Sequence, residues 1–425
     1  ESISDSKILV TRIEYNDVIK KAEEHSYDLK SADFNILISK QGITDARSEY
    51  YPKLNFGATT EYTKNLLHNG QTSSVMSVGD SFINPYTRFQ SILGVNLSYN
   101  LFDFGVRKNV LNMAKEDVEI KKMEEKQHLQ DLVLNVTDTY AKILMLAAQE
   151  KAYKQMEELQ EKNLEYYERL YAAKVVSSTD LNLAKVNFEQ TKKQISEIKS
   201  LKDEAVNWLS FYTGEDYDKE NIEILAFEEI EFNPYMDTNI ENSVVWQLHE
   251  KIIKKKGYEV KAAKRLNYPQ FTAYSRYNLY GSDYSSYNDN LGDIRPSNFT
   301  VGGSINMPLF DGFKNSANIK TKKLELEQLL VERDKAVAEY VTKLAVMRSN
   351  LVYIDKQMKD NEIIEQELTN KVNSTIKLVN NRIASPIEGN NAKIELLKQN
   401  IETVKNETTK KAIIRVIEAL TREYK

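Results

Sequence analysis

The chain is written twice. Early in its 425 residues, Ala46, Arg47, Tyr51 and Pro52 stand where Ala263, Lys264, Tyr268 and Pro269 stand in a later segment. Asn100-Leu101-Phe102-Asp103-Phe104-Gly105 then returns as Pro308-Leu309-Phe310-Asp311-Gly312-Phe313. Lys174-Val175-Val176-Ser177-Ser178-Thr179-Asp180 returns as Arg382-Ile383-Ala384-Ser385-Pro386-Ile387-Glu388. Asp103 and Asp311 are 208 residues apart, and so are Asp180 and Glu388, so the long segments between them have equal length in both copies. A duplication of this size sets the fold before any local preference does.

Each copy has one order of elements: helix, strand, loop, strand, very long helix, tight turn, returning helix. The division expected is a first repeat over 1–213, a linker over 214–239 and a second repeat over 240–425. In the first repeat the helix runs from Ser31 to Tyr51, stopped before Pro52, with strands at about 53–64 and 91–102. In the second repeat strands are expected at about 270–280 and 299–309. Leu93, Val95, Leu97, Tyr99 and Leu101 alternate with Gly94, Asn96, Ser98 and Asn100, an apolar face opposite a small, polar one, as in a membrane barrel strand. The loops 64–90 and 280–298 are rich in Ser, Asn, Gly, Tyr and Asp and read as surface loops.

The long helices are expected at about 107–173 and 315–380, neither containing Gly or Pro. At 1.5 Å per residue each spans ~100 Å. Leu129, Leu132, Val136, Tyr140, Ile143 and Ala147, and Leu324, Leu329, Val337, Val341 and Leu344, recur at coiled-coil spacing. The returning helices are expected at about 179–212 and 386–424. Ser177-Ser178-Thr179-Asp180 is an N-cap cluster for the first, and Ser385 is the N-cap of the second, with Pro386 at N1 and Glu388 at N3.

Charged residues make up 28% of the chain, against 14 Gly and 7 Pro. With a mean hydropathy of −0.55, this favours extended rods over thick cores. A net charge of −5 offers no basic patch for nucleic acid. The absence of Cys excludes disulfides and thiolate chemistry. His25, His68, His128 and His249 lack metal-ligand spacing, and no catalytic set stands out, so neither enzyme, cofactor nor metal is expected. Glu1-Ser2-Ile3-Ser4 has neither a basic nor an apolar signal region; either none existed or it has been removed. The run Ile143–Ala148 falls short of the ~20 residues a membrane-spanning helix needs. The membrane route left is a closed β-barrel.

Four strands cannot close a barrel alone. Two copies give eight strands with an interior that side chains just fill; three give twelve. The small inward residues Gly57, Gly94, Ser98, Gly302 and Ser304 favour three. The fold class expected is therefore mainly α with membrane β: long helical hairpins plus four strands per chain, in a homotrimer with a 12-stranded β-barrel on an α-helical barrel. Leu93, Val95, Leu97 and Tyr99 face lipid, Tyr62 and Tyr99 are candidates for an interface girdle, and Phe102 and Phe310 wedge the strand-to-helix corners. The alternative is a long coiled-coil structural or tethering protein, which leaves four alternating strands unexplained. A weaker one is a periplasmic adaptor, which carries one helical hairpin rather than two.

Over essentially its whole length the chain resembles the TolC-like outer-membrane efflux proteins. The resemblance is carried by the strand starts at Pro52 and Pro269, the strand exits Leu101-Phe102-Asp103 and Pro308-Leu309-Phe310-Asp311-Gly312, the helix segment Leu134–Tyr140 and the hairpin from Ser177 to Ala184. It implies an exit duct in the bacterial outer membrane with a large periplasmic portion and a removed signal peptide. The duct serves a tripartite efflux pump or type I secretion system, with a periplasmic adaptor and an inner-membrane transporter as partners. It also implies a periplasmic constriction at Asp180, Glu388, Asn391 and Arg382, and adaptor-docking tips at Lys174, Val175, Ser177, Arg382, Ile383 and Ser385. Helix capping is the plainer role for Asp180 and Glu388, and both roles are compatible. The family carries Gly where Lys174 and Arg382 stand; in the second copy Asn380 or Asn381 could supply the left-handed cap. The family's gate-locking Arg falls at Ala384, leaving Arg382 as a stand-in partner for Asp180.

Overall fold

The structure is a computed structural model and describes residues 11–64, 77–78, 81–82, 88–220, 222–236 and 239–422. Most of the loop 64–90, His68, the first four residues and the end of the expected last helix lie outside them. In chain order the elements are β1 (Thr11–Ile13), α1 (Tyr15–His25), α2 (Tyr27–Ser48), β2 (Lys53–Tyr62), the short β3 (Ser77–Val78) and β4 (Ser81–Phe82), β5 (Phe89–Phe102), α3 (Val106–Ala172), α4 (Ser178–Thr213) and β6 (Ile222–Ile224). Then come α5 (Val244–Arg265), β7 (Gln270–Asp283), α6 (Tyr287–Gly292), β8 (Arg295–Asn306), α7 (Lys314–Asn380) and α8 (Pro386–Thr421).

The duplication is written into these bounds. The helices α3 and α7 have 67 residues each and α4 and α8 have 36 each, all displaced by 208. Before the strands the displacement is 217, from the start of β2 to the start of β7. The first copy's interstrand loop holds the difference. The long helices persist because nothing in them breaks the backbone ladder.

By contacts the chain divides into two compact units, each drawing on both repeats. One comprises Ile36–Lys121 and Glu250–Glu332. It holds an antiparallel sheet in the order β2-β5-β7-β8. Leu54 pairs with Leu97, Leu97 with Ser275, and Ser275 with Val301. One residue over, Asn55 pairs with Asn96, Asn96 with Arg276, and Arg276 with Thr300. Paired residues share a face, so one face carries Leu54, Phe56, Leu93, Val95, Leu97, Tyr277, Leu279, Val301 and Ile305, and the other Asn55, Gly57, Gly94, Asn96, Asn278, Thr300 and Ser304. The helix α5 is clamped on both sides by ion pairs: Lys254–Glu116 at 2.6 Å and Lys255–Asp117 at 2.6 Å to α3, Lys256–Glu325 at 2.8 Å and Lys322–Glu259 at 2.7 Å to α7.

Several elements differ from expectation: β1 and α1 precede the first expected helix, that helix begins at Tyr27 rather than Ser31, and β3 and β4 lie within the expected loop 64–90. The first expected helix ends at Ser48, short of Tyr51, because the Ser48 hydroxyl donates to the Asp45 carbonyl and the Tyr50 and Tyr51 amides close a turn ahead of Pro52. The segment 280–298 is not loop throughout: β7 continues to Asp283 and α6 follows, started by the Ser286 hydroxyl accepting from the Asp289 amide. The fourth strand spans Arg295–Asn306, so it starts earlier and stops before Met307.

The other unit comprises Glu1–Asn35, Lys122–His249 and Arg333–Lys425. Its core is doubled too: Val136, Ile143 and Leu209 are buried in one cluster, and their equivalents Leu344, Leu351 and Ile417 in another. The linker supplies β6, which pairs in parallel with β1. The Tyr140 hydroxyl lies 3.0 Å from the Ile13 carbonyl and 2.7 Å from that of Leu225, holding the strand pair against α3. Burial raises its pKa well above the ordinary tyrosine value. At the equivalent position of α7, Arg348 donates to the Pro234 and Met236 carbonyls, both at 2.8 Å.

Candidate functional site: the hairpin turns and the sheet face

At the end of α3, Lys174 N–H donates to the Tyr171 carbonyl and Val175 N–H to that of Leu170, both at 2.9 Å. At the end of α7, Arg382 N–H donates to Val379 and Ile383 N–H to Leu378, again both at 2.9 Å. This pair of bonds is the Schellman termination, which calls for a left-handed residue and normally uses glycine. Here Lys174 takes φ +60 and Arg382 φ +59. Neither Asn380 nor Asn381 supplies the cap, contrary to the expectation: Asn380 still belongs to α7, Asn381 bonds back to Lys377 in helical fashion, and Arg382 makes the turn. Each strained basic residue is followed by an exposed β-branched one, Val175 at 67% and Ile383 at 73% exposure.

The returning helices start on closed caps. The Ser177 hydroxyl accepts from Asp180 N–H at 3.2 Å, and the Asp180 carboxylate accepts from Ser177 N–H at 3.0 Å and its hydroxyl at 2.7 Å. These bonds, the hydroxyl's first, hold the Asp180 carboxyl below its ordinary value of 3.8. Ser385 caps α8 through Glu388 N–H at 3.3 Å, with its hydroxyl 3.3 Å from the Glu388 carboxylate. Within the chain, then, both acids meet the serines of their own turns, and Asp180 pairs with Ser177 rather than Arg382.

Asn391 is tied to the first hairpin. Asn163, 3% exposed on α3, donates its side-chain Nδ2–H to Asn391 Oδ1 at 3.1 Å, and its Oδ1 accepts from Asn390 Nδ2–H at 2.8 Å. One helical turn further on, Ile394 of α8 packs on Ala152 and Met156 of α3. Sequence reasoning missed Asn163, because a lone Asn in a charged helix carries no periodic signal.

In the sheet unit, the expected lipid-facing residues Leu93, Val95, Leu97 and Tyr99 share the apolar face. Tyr62, its ring 5.0 Å from that of Phe89, and Tyr99, opposite Ala273, lie towards opposite ends of it. The strand-to-helix corners use two consecutive left-handed residues, Phe104–Gly105 in one copy and Gly312–Phe313 in the other. Asp103 and Asp311 accept the amides of Arg107 at 3.0 Å and Asn315 at 2.9 Å. Phe102 packs on Phe104 at 4.7 Å and Phe310 on Phe313 at 5.6 Å.

The profile of a family described as Outer membrane efflux protein matches residues 18–215 and 250–419. Among solved structures, the chain is similar to the Campylobacter jejuni CmeC outer membrane channel, with 17% identity and TM-score 0.80 over 96% of this chain and 85% of that one. The outer membrane protein VceC of Vibrio cholerae matches at 15% identity and TM-score 0.74, over 96% of both chains. The open state of the Neisseria gonorrhoeae MtrE outer membrane channel matches at 15% identity and TM-score 0.71, over 96% of this chain and 88% of that one. No curated protein matches the sequence.

Proposed function

The chain belongs to the outer membrane efflux protein family, and from that premise we propose that three copies form the exit duct of a tripartite efflux assembly. It is an outer-membrane channel with a periplasmic helical portion. In our reading, twelve strands cross the outer membrane with Leu93, Val95, Leu97 and Tyr99 towards lipid and the row from Asn55 to Thr300 towards a water-filled lumen. Lys174, Val175, Ser177, Arg382, Ile383 and Ser385 meet a periplasmic adaptor, which links the duct to an inner-membrane transporter. Asp180 and Glu388 surround the periplasmic entrance, near Arg382 and Asn391. The duct conducts passively.

One observation carries the reading: a four-stranded sheet with one apolar face, one polar face and two open edges. A coiled-coil tether has no use for such a sheet. The test places Arg on each face. Val95→Arg and Leu97→Arg are expected to lower trimer yield in membranes, since Arg facing lipid near the midplane costs ~2–4 kcal/mol. Asn96→Arg is expected to assemble, with a mass in detergent of three times 49.1 kDa for the protein part. Equal damage at all three positions, or a stable monomer in plain buffer, would overturn the reading.

A further inference from the structure

The chain's internal symmetry fixes how one copy joins the next. The sheet ends in β2 on one side and β8 on the other, strands of 10 and 12 residues. Within hydrocarbon no such edge can stay unpaired, because every backbone group needs a partner. Exposure marks the same edges. On the apolar face Phe56 and Val301 are 69% exposed, while Val95 and Tyr277, flanked on both sides, are 37% and 42% exposed.

We propose that β8 pairs antiparallel with β2 of a second copy in a single register, Ser304 opposite Thr59 and Ile305 opposite Ala58. The proposal rests on the trimeric reading above. It follows from the two displacements, 217 for the first strand of each copy and 208 for the second. They can be checked on a pairing already present. Moving β2–β5 pairs by these amounts takes Lys53–Ser98 to Gln270–Asn306 and Thr59–Ile92 to Arg276–Thr300, and both are pairs of β7 with β8. The two hairpins are therefore equivalent pair for pair from Lys53–Ser98 to Glu61–Gln90, beyond which the pairing of β7 with β8 shifts by one residue at Leu279.

The remaining pairing, β5 with β7, joins the first hairpin to the second. In a ring, β8 with the next copy's β2 joins a second hairpin to a first. Shifting Asn96–Arg276 gives Ser304 opposite Thr59 of the next copy, and shifting Leu97–Ser275 gives Ile305 opposite Ala58. Leu93–Leu279 gives Val301 opposite Tyr62, and Gly94–Asn278 gives Gly302 opposite Glu61.

Chemistry, which did not enter this derivation, agrees with it. Val301 with Tyr62, Ile305 with Ala58, and Met307 with Phe56 continue the apolar face. Gly302 with Glu61, Ser304 with Thr59, and Asn306 with Gly57 continue the polar one. A slip of one residue would exchange the faces of one strand. The pairing of β5 with β7 shifts register between Asn100 and Phe102, so that Phe102 faces Phe271. The same shift places Phe310, 79% exposed in the single chain, opposite Leu54 of the next copy. Met307 to Phe310, which lie beyond β8 in the single chain, then become strand on closure.

The full chain contains no Cys, so paired cysteines report register without background. Two in-register forms are needed, Ser304→Cys with Thr59→Cys on the polar face and Ile305→Cys with Ala58→Cys on the apolar one. Opposed pairs in an antiparallel ladder alternate between Cα separations of ~5.5 and ~4.5 Å, both within disulfide reach. Slipped controls are Ser304→Cys with Gly57→Cys and Ser304→Cys with Glu61→Cys, diagonal positions ~7–8 Å apart. Each form is purified reduced in detergent, its mass measured, then oxidised and run without reductant. In-register pairs are expected to give a covalent ladder ending at three chains, with the slipped pairs about tenfold weaker. If one in-register form does not assemble, the other reads the same register. Trimers that cross-link better through a slipped pair would overturn the register alone. Chains that are not trimers before oxidation would overturn the trimeric reading. Failure of both in-register forms to assemble while the slipped controls do would also count against the register.

Discussion

Replacing Lys174 or Arg382 by glycine should make the hairpin turns more stable while weakening what docks on them. Both residues hold φ near +60, where a side chain's Cβ crowds the following carbonyl at a cost of about 1–2 kcal/mol. Glycine escapes that clash but gives back about 0.4–1 kcal/mol through the greater freedom of the unfolded chain. The net gain is about 0.5–1 kcal/mol per turn, or about two- to fivefold slower local opening. Alanine keeps the clash and loses the charge, so it separates the two effects. The assay is amide hydrogen exchange of detergent-solubilised protein at residues 174–175 and 382–383, whose N–H groups close the turns, corrected for intrinsic rates. Lys174→Gly and Arg382→Gly should slow exchange; Lys174→Ala and Arg382→Ala should not. All four should weaken capture of a periplasmic adaptor, because all four remove the basic head. If glycine and alanine forms exchange alike, strain is not stored at these turns. If adaptor capture is unchanged in all four, the turns are strained for another reason and the docking role falls.

Three further outcomes test the hairpins. If Asp180 and Glu388 surround the entrance as proposed, Asp180→Asn with Glu388→Gln should alter single-channel conductance in planar bilayers and weaken block by multivalent cations, since two charges per chain leave a field-focusing opening; unchanged conductance and block would reduce both acids to caps. The Asp180 box has its own pH signature: with the folded carboxyl held below 3.8, its contribution is complete above that value and lost as pH falls through the lower folded one. Asn163→Ala leaves Asn390 and Asn391 without their shared partner, an expected loss of about 1–3 kcal/mol, read as a lower temperature of trimer dissociation and a larger open current; wild-type values of both would show that the latch does not hold the hairpins together.

The fold was legible because the duplication gave every long-range inference a second copy to check it. Helices without Gly or Pro must run on, and a switch from a period of three and four to a period of two must mark strands. What the sequence hid were features decided by neighbours. The fourth strand was expected to reach residue 309 and stops at Asn306, since Met307 to Phe310 have no adjacent strand in a single chain. The helix α6 was hidden because its six residues are too few for periodicity to register.

At the candidate site, residue positions were legible and backbone roles were not. The missing glycines at the two turns were visible as Lys174 and Arg382, but propensity pointed to Asn380 or Asn381 for the left-handed place, since Asn tolerates it best among residues with a side chain. Geometry decided otherwise, because the place is fixed by counting from the last helical turn. Both copies accept the same strain, at the same place, with a basic residue followed by an exposed β-branched one. Drift under neutral substitution has no reason to strain two turns 208 residues apart in the same way. A shared constraint on the tip surface does, and it is the same constraint that the glycine and alanine forms are built to expose.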